Sequence, residues 1–153
     1  MQELKTQPII LVVEDYADSR QMLKLLLEGQ GYCVVTAGNG REALSAVSHH
    51  HVDLILTDFG LPDITGATLV RRLHQFSELR RVPVIMLTAY DGDEYRNLAA
   101  EAGCNAFIVK PPRFEILTET LDRLLKSGRE QTADAISGEK VVVRSLPCQA
   151  VRT

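Results

Sequence analysis

The stretch LILTDFGLPDITG, residues 54–66, runs from apolar and β-branched residues into a solitary carboxylate, Asp58, and then into a loop punctuated by Gly60, Pro62 and Gly66. It reads as a buried strand whose end opens into a tight turn that leads to a helix. An acid at such a place pays for desolvation unless a cation or hydrogen-bond donors offset the cost. The rest of the chain has to supply that compensation.

Other apolar runs of strand length accompany it. In chain order they are PIILVV (8–13), YCVVTA (32–37), DLILT (53–57), PVIMLT (83–88) and AFIV (106–109). Four of the five are almost continuously apolar, the profile of strands covered on both faces, as in a parallel sheet between helical layers. Between and after them the apolar period becomes helical over roughly 18–29, 40–50, 66–76, 92–102 and 113–126. Met22, Leu25 and Leu26 mark the expected inner face of the first helix, Leu69, Leu73 and Phe76 that of the third, and Leu117, Leu121, Leu124 and Leu125 that of the last. Gly29, Gly31 and Gly103 follow helices where a left-handed C-cap is wanted. The alternation is (βα)5, which predicts an α/β fold with an open, doubly wound parallel sheet.

With 153 residues, 45% of them hydrophobic, the chain fits one globular domain. Residues 1–7 are a short lead, 8–126 the domain, and 127–153 a polar, Gly-interrupted tail whose single triplet VVV cannot build a core. The tail reads as flexible, with an added strand or a docking segment as the alternative. A formal net charge of -3 provides no global basic field, so nucleic acid is not expected as a ligand. Cys33, Cys104 and Cys148 are too widely spaced for a disulfide framework or a zinc site and read as reduced thiols. No run of about 18 apolar residues and no N-terminal apolar signal is found, so the protein is expected to be cytoplasmic and to make no use of a membrane.

In a parallel sheet the carboxyl ends of all strands share one edge, and ligand crevices form outside it where the strand order reverses. Glu14 and Asp15 follow the first strand, Asp58 the third, Thr88 closes the fourth and Lys110 follows the fifth. Three acids, a hydroxyl and an ammonium are thereby brought to one rim. Clustered carboxylates repel unless a cation sits among them. Mg²⁺ suits that need, because it takes hard oxygens and is typically held by one or two carboxylates plus phosphate oxygens. Lys110 adds a point charge for an anionic oxygen. Mg²⁺, a lysine and a spare carboxylate together can make an aspartyl phosphate.

The acidic pair in LVVED, the segment LTDFGLPDITG, the hydroxyl in MLTA and the block AGCNAFIVKP, in that order, resemble the receiver domain of two-component response regulators over about residues 8–126. The resemblance implies a flavodoxin-like sheet of strand order 2-1-3-4-5. It implies that Asp58 accepts a phosphoryl group from a phosphohistidine on a sensor histidine kinase or histidine phosphotransfer protein. Glu14, Asp15, Asp58 and the backbone carbonyl of Gly60 would bind Mg²⁺, and Lys110 would contact a phosphoryl oxygen, followed by Pro111 through a cis peptide bond. Thr88 and Phe107 would be the switch pair, and the fourth and fifth helices with the strand between them would present the changed surface to a downstream target protein. It further implies a signalling phosphoacceptor rather than an enzyme, able to take phosphate from small donors and to lose it again, and a monomer or a weak, phosphorylation-dependent dimer.

Glu14 stands where Asp is commoner in the family, a change that keeps an oxygen ligand, and Phe107 lacks the hydroxyl of the commoner Tyr. Gly60 and Tyr90 occupy positions where attacking water is screened, the glycine opening the site and the tyrosine shielding it. A phosphorylation-independent binding module, or a receiver belonging to a hybrid histidine kinase or longer regulator, is the alternative function. Asp53 and Asp63 read as turn or cap residues. Consecutive residues of the tract His49, His50 and His51 would point in different directions on a helix, and Arg71, Arg72, Arg80 and Arg81 read as a solvated face.

Overall fold

The strand Ile9–Val13 (β1) is buried along its whole length, as a strand must be when helices cover both of its faces. The computed structural model describes the backbone of residues 7–136 and the side chains of residues 7–127. After β1 come α1 (Ala17–Gly29), β2 (Cys33–Ala37), α2 (Gly40–His49), β3 (Leu54–Thr57) and α3 (Gly66–Leu73). A 3-10 turn at Ser77–Leu79 leads to β4 (Val84–Thr88), α4 (Asp93–Ala102), β5 (Ala106–Val109) and α5 (Phe114–Ile136). The sheet is parallel throughout in the order β2-β1-β3-β4-β5, as the resemblance implies.

Alternate side chains of a strand point to opposite faces, and the two faces hold separate cores. Ile10 and Val12 of β1, Leu54 and Leu56 of β3 and Ile85 of β4 pack with Leu23 and Leu27 of α1 and with Leu117 and Leu121 of α5. Leu11, Val13, Ile55 and Met86 face the other way, against Ala43 of α2, Leu69 and Leu73 of α3 and Ala99 of α4. The chain thus winds outward from β1 to β2, returns past β1 to β3 and continues to β5. The reversal leaves a crevice beyond the carboxyl ends of β1 and β3.

The expected inner face of α1 is corrected by the structure. Met22, Leu25 and Leu26 are 54%, 59% and 40% exposed, whereas Leu23 and Leu27 are buried. The pairs 22/26 and 23/27 form adjacent stripes of equal spacing, so the period alone does not decide between them. Phe76 is also exposed, because α3 ends at Leu73 and residue 76 lies beyond it. Leu117, Leu121, Leu124 and Leu125 are buried as expected. The last helix runs on to Ile136, through a stretch with one glycine, no proline and several good helix formers. Residues 137–153 lie outside the described residues.

Gly31 and Gly103 have φ of 97° and 106°, and Gly103 is the left-handed C-cap of α4; Gly29 is instead the last helical residue of α1. Asp63 accepts hydrogen bonds from the backbone N–H groups of Gly40 (2.8 Å) and Arg41 (2.9 Å), joining the β3–α3 loop to the start of α2. The Gly40 bond foremost holds its carboxyl below the usual range. Asp53 accepts from the N–H of Ile9 at 2.8 Å, at the sheet edge opposite the crevice. Among the cysteines, Cys104 is a free thiol pushed up to about 12 by burial. Cys33 is buried on β2, and Cys148 lies outside the described residues.

The reassigned face of α1 has a direct test in urea denaturation. Leu27→Ala should lose about 3 kcal/mol, the usual cost of emptying a fully buried leucine site, while Leu25→Ala should stay within about 0.5 kcal/mol of the parent. A larger loss at Leu25 than at Leu27 would place α1 the other way round, and equal losses would contradict the assigned face.

Candidate functional site

The backbone ladder continues past the strand ends and fixes where the polar residues start. Beyond β1, the Glu14 N–H donates to Ala37 O at 3.0 Å; beyond β3, the Asp58 N–H donates to Val13 O at 3.0 Å; beyond β5, the Lys110 N–H donates to Thr88 O at 2.8 Å. Glu14, Asp58 and Lys110 therefore spring from backbone that is still part of the sheet. Their side chains meet at its edge.

Lys110 lies between the two acids. Its Nζ donates to Glu14 Oε1 at 2.6 Å and to Asp58 Oδ2 at 2.9 Å. Glu14 is only 3% exposed, and its second oxygen accepts from the N–H of Tyr16 at 3.1 Å. Asp58 Oδ1 accepts from the N–H of Gly60 at 3.3 Å. Oxygens of Glu14, Asp15 and Asp58 all lie within 4.8 Å of one another. Lys110 is thus the compensation that Asp58 requires, although one ammonium faces three carboxylates.

Burial alone would pull the Lys110 ammonium down, but its hydrogen bonds to Glu14 and Asp58, and their charges, outweigh that and raise its pKa. A raised lysine contributes stability that is complete below its unfolded value and is lost as pH climbs through the folded one. On the alkaline side the ion pairs therefore hold through neutral pH and past the ordinary lysine value of 10.5. Three hard-oxygen carboxylates so close together, with a net negative charge, also fit a small divalent cation.

Thr88 is fully buried at the end of β4, and its Oγ1 accepts from the N–H of Tyr90 at 3.2 Å. Phe107 is half-buried on β5 with the Arg96 guanidinium over its ring. The Lys110–Pro111 peptide is cis. Tyr90 leans over Gly60, where an added Cβ would come 3.5 Å from its ring. The site thus brings together Glu14, Asp15, Asp58 and Lys110 in direct contact or near it. Thr88 and Phe107 stand behind them on β4 and β5.

Three features lay outside the sequence reading. Arg20 reaches back from α1 and donates to the carbonyl oxygens of Glu14 (2.8 Å) and Asp15 (3.4 Å), pinning the acidic turn. Tyr90 stacks on Tyr95 with ring centroids 4.8 Å apart, and Phe59 meets both rings edge-on. Gly66 has no room for a side chain, because a Cβ there would lie 2.2 Å from Asp58 O. A glycine eight residues after the acid was the only sequence sign of that close return; the arginine and the aromatic trio carry no local pattern.

The chain matches the model of the response regulator receiver domain over residues 10–122. It is 39% identical over 110 residues to the polar-differentiation response regulator DivK of Brucella ovis, covering 69% of this chain and 88% of that protein. The structure of the chemotaxis response regulator CheY4 of Vibrio cholerae has a TM-score of 0.74 and 34% identity, covering 78% of this chain and 99% of the other. The receiver domain of sensor histidine kinase PA1611 from Pseudomonas aeruginosa PAO1, solved with a magnesium ion coordinated in its active site cleft, has a TM-score of 0.74 and 30% identity, covering 79% and 99%.

The charge balance of the cluster predicts opposite effects of two substitutions in metal-free solution at pH 7. Lys110→Met strands the buried Glu14 carboxylate and should lower stability by about 3 kcal/mol. Asp15→Asn removes a like charge and should raise the unfolding midpoint. Thermal melts of both variants in chelator decide the matter; a Lys110→Met melt equal to the parent would show that the ammonium does not neutralise the cluster.

Proposed function

The chain belongs to the response regulator receiver family, and from that premise we propose that Asp58 is its phosphoacceptor within a Mg²⁺-dependent site. The observation that carries this reading is the Lys110 ammonium bridging Glu14 and Asp58, with the Asp15 carboxylate alongside. An Asp58 oxygen attacks the phosphorus of a phosphohistidine. The new O–P bond forms as the P–N bond breaks, and the imidazole keeps the electron pair and takes up a proton. The product is an acyl phosphate on Asp58, formed by positioning and charge rather than by proton abstraction.

Glu14, Asp15, Asp58 and the Gly60 carbonyl would hold Mg²⁺, which when bound supplies positive charge against the phosphoryl oxygens. Lys110 exchanges its contact with the Asp58 carboxylate for one with a phosphoryl oxygen, retaining its partner in Glu14. Thr88 donates its hydroxyl hydrogen to another phosphoryl oxygen. That contact exists only in the phosphorylated state, so it biases the site towards the position of Thr88 that makes it. Phe107 moves into the space that Thr88 vacates, and the α4–β5–α5 face changes for a downstream target. Tyr90, leaning over Gly60, screens the acyl phosphate from water.

The phosphodonor is a sensor histidine kinase or a histidine phosphotransfer protein. Met22, Leu25 and Leu26 on α1, with Tyr16 at the rim, are exposed and offer an apolar strip beside the site that a donor helix can cover. Residues 8–126 make up the receiver, acting in the cytoplasm as a signalling protein, as a monomer or a weak dimer formed on phosphorylation. A receiver belonging to a histidine kinase is the second reading, favoured by the receiver domain of sensor histidine kinase PA1611 among the similar structures.

Intact mass after incubation with acetyl phosphate and Mg²⁺ tests the reading. The parent should gain a single labile phosphoryl group, and both Asp58→Asn and a chelator should abolish it. No adduct on the parent, together with no binding of beryllofluoride, would leave a receiver fold that does not accept phosphate.

A further inference from the structure

Arg96 of α4 places its guanidinium over the ring of Phe107, 4.8 Å from the centroid. Phe107 sits on β5 in register with Met86 of β4 and packs partly buried against the core between the sheet and α3 and α4. Arg96 is exposed, so it caps the ring from the solvent side while the core holds it from within. Among the described residues no ion pair engages Arg96. Phe107 carries no hydroxyl, so no hydrogen bond from its ring can fix the pose. The quadrupole of the ring face attracts the cation instead.

We propose that Arg96 is a positioning residue that holds Phe107 in this pose, and thereby sets how readily occupancy at Asp58 is transmitted to the α4–β5 surface. The inference rests on the phosphoacceptor reading and adds the element that opposes the switch. A swing of Phe107 towards Thr88 carries its ring away from the guanidinium. The contact is therefore made in the resting pose and broken in the other, which is the differential interaction that shifts a two-state equilibrium. A cation over an exposed aromatic face is worth a factor of about two to five in such an equilibrium. The same motion frees the Arg96 side chain on the outer face of α4, so that the surface changes in charge pattern as well as in shape.

An NMR titration of the full chain with beryllofluoride in saturating Mg²⁺, following the amides of Thr88 and Lys110 and the ring protons of Phe107, separates the possibilities. Arg96→Gln should bind beryllofluoride about two- to fivefold more tightly than the parent, and its free-state Phe107 ring signals should move towards their bound positions. Arg96→Lys, which retains a cation, should stay close to the parent. In a Phe107→Ala background Arg96→Gln should change the affinity no further, as a double-mutant cycle requires of a pair that acts together. Equal affinity of Arg96→Gln and the parent, or the same gain with and without the ring, would overturn the assignment. A parent that takes up no beryllofluoride would overturn the phosphoacceptor reading, and this inference with it.

Discussion

One ammonium between two carboxylates organises the rim of this protein. Without Lys110, Glu14 would be a buried charge with only a backbone N–H for company, and Asp58 would face Asp15 and Glu14 uncompensated. A buried charge lacking its partner is far more costly than the pair itself is beneficial. Lys110 makes the cluster tolerable in the resting state and leaves it short of positive charge. That residual deficit is what suits the site to a divalent cation and, with the cation in place, to a phosphoryl group. The family assignment and the electrostatics therefore point in the same direction by separate routes.

The constraint works only because the sheet holds its ends still. Backbone hydrogen bonds continue one residue beyond β1, β3 and β5, so the Lys110 ammonium meets carboxylates whose starting points cannot drift. The two cores, one under α1 and α5 and the other under α2, α3 and α4, hold the strands in register from both sides. Gly66 closes the loop after Asp58 onto the backbone of that acid. Arg20 fastens the turn after β1 from the opposite side of the crevice. A fixed edge is what a charge-driven switch requires, because a change of charge then acts on the groups behind it, Thr88 and Phe107, rather than on the strands.

Much of this was legible in the sequence because it follows from periodicity and punctuation. Continuous apolar runs revealed buried strands, and the acids, hydroxyl and lysine at their carboxyl ends fell on one edge as soon as the sheet was parallel. The period does not select the inner face of α1, because two leucine-bearing stripes share the same spacing, and only packing on β1 and β3 selects Leu23 and Leu27 over Met22, Leu25 and Leu26. Partnerships made across the fold left no local trace. Neither the return of Arg20 to the carbonyls of the acidic turn nor the seating of Arg96 on Phe107 can be read from spacing, since each depends on where a long, flexible side chain finds its acceptor or ring. The stacked tyrosines were half visible: Tyr90 was expected to shield the site, but its support from Tyr95 and Phe59 was not.

The central claim is chemical and positional: the phosphoryl group resides on Asp58. Borohydride trapping addresses it most directly, because reduction of an acyl phosphate converts that one aspartate to homoserine. Peptide mapping of the full chain after treatment with acetyl phosphate, Mg²⁺ and borohydride should find homoserine at position 58 and nowhere else. Homoserine at Asp15 or Asp63 instead, with residue 58 still aspartate, would contradict the account.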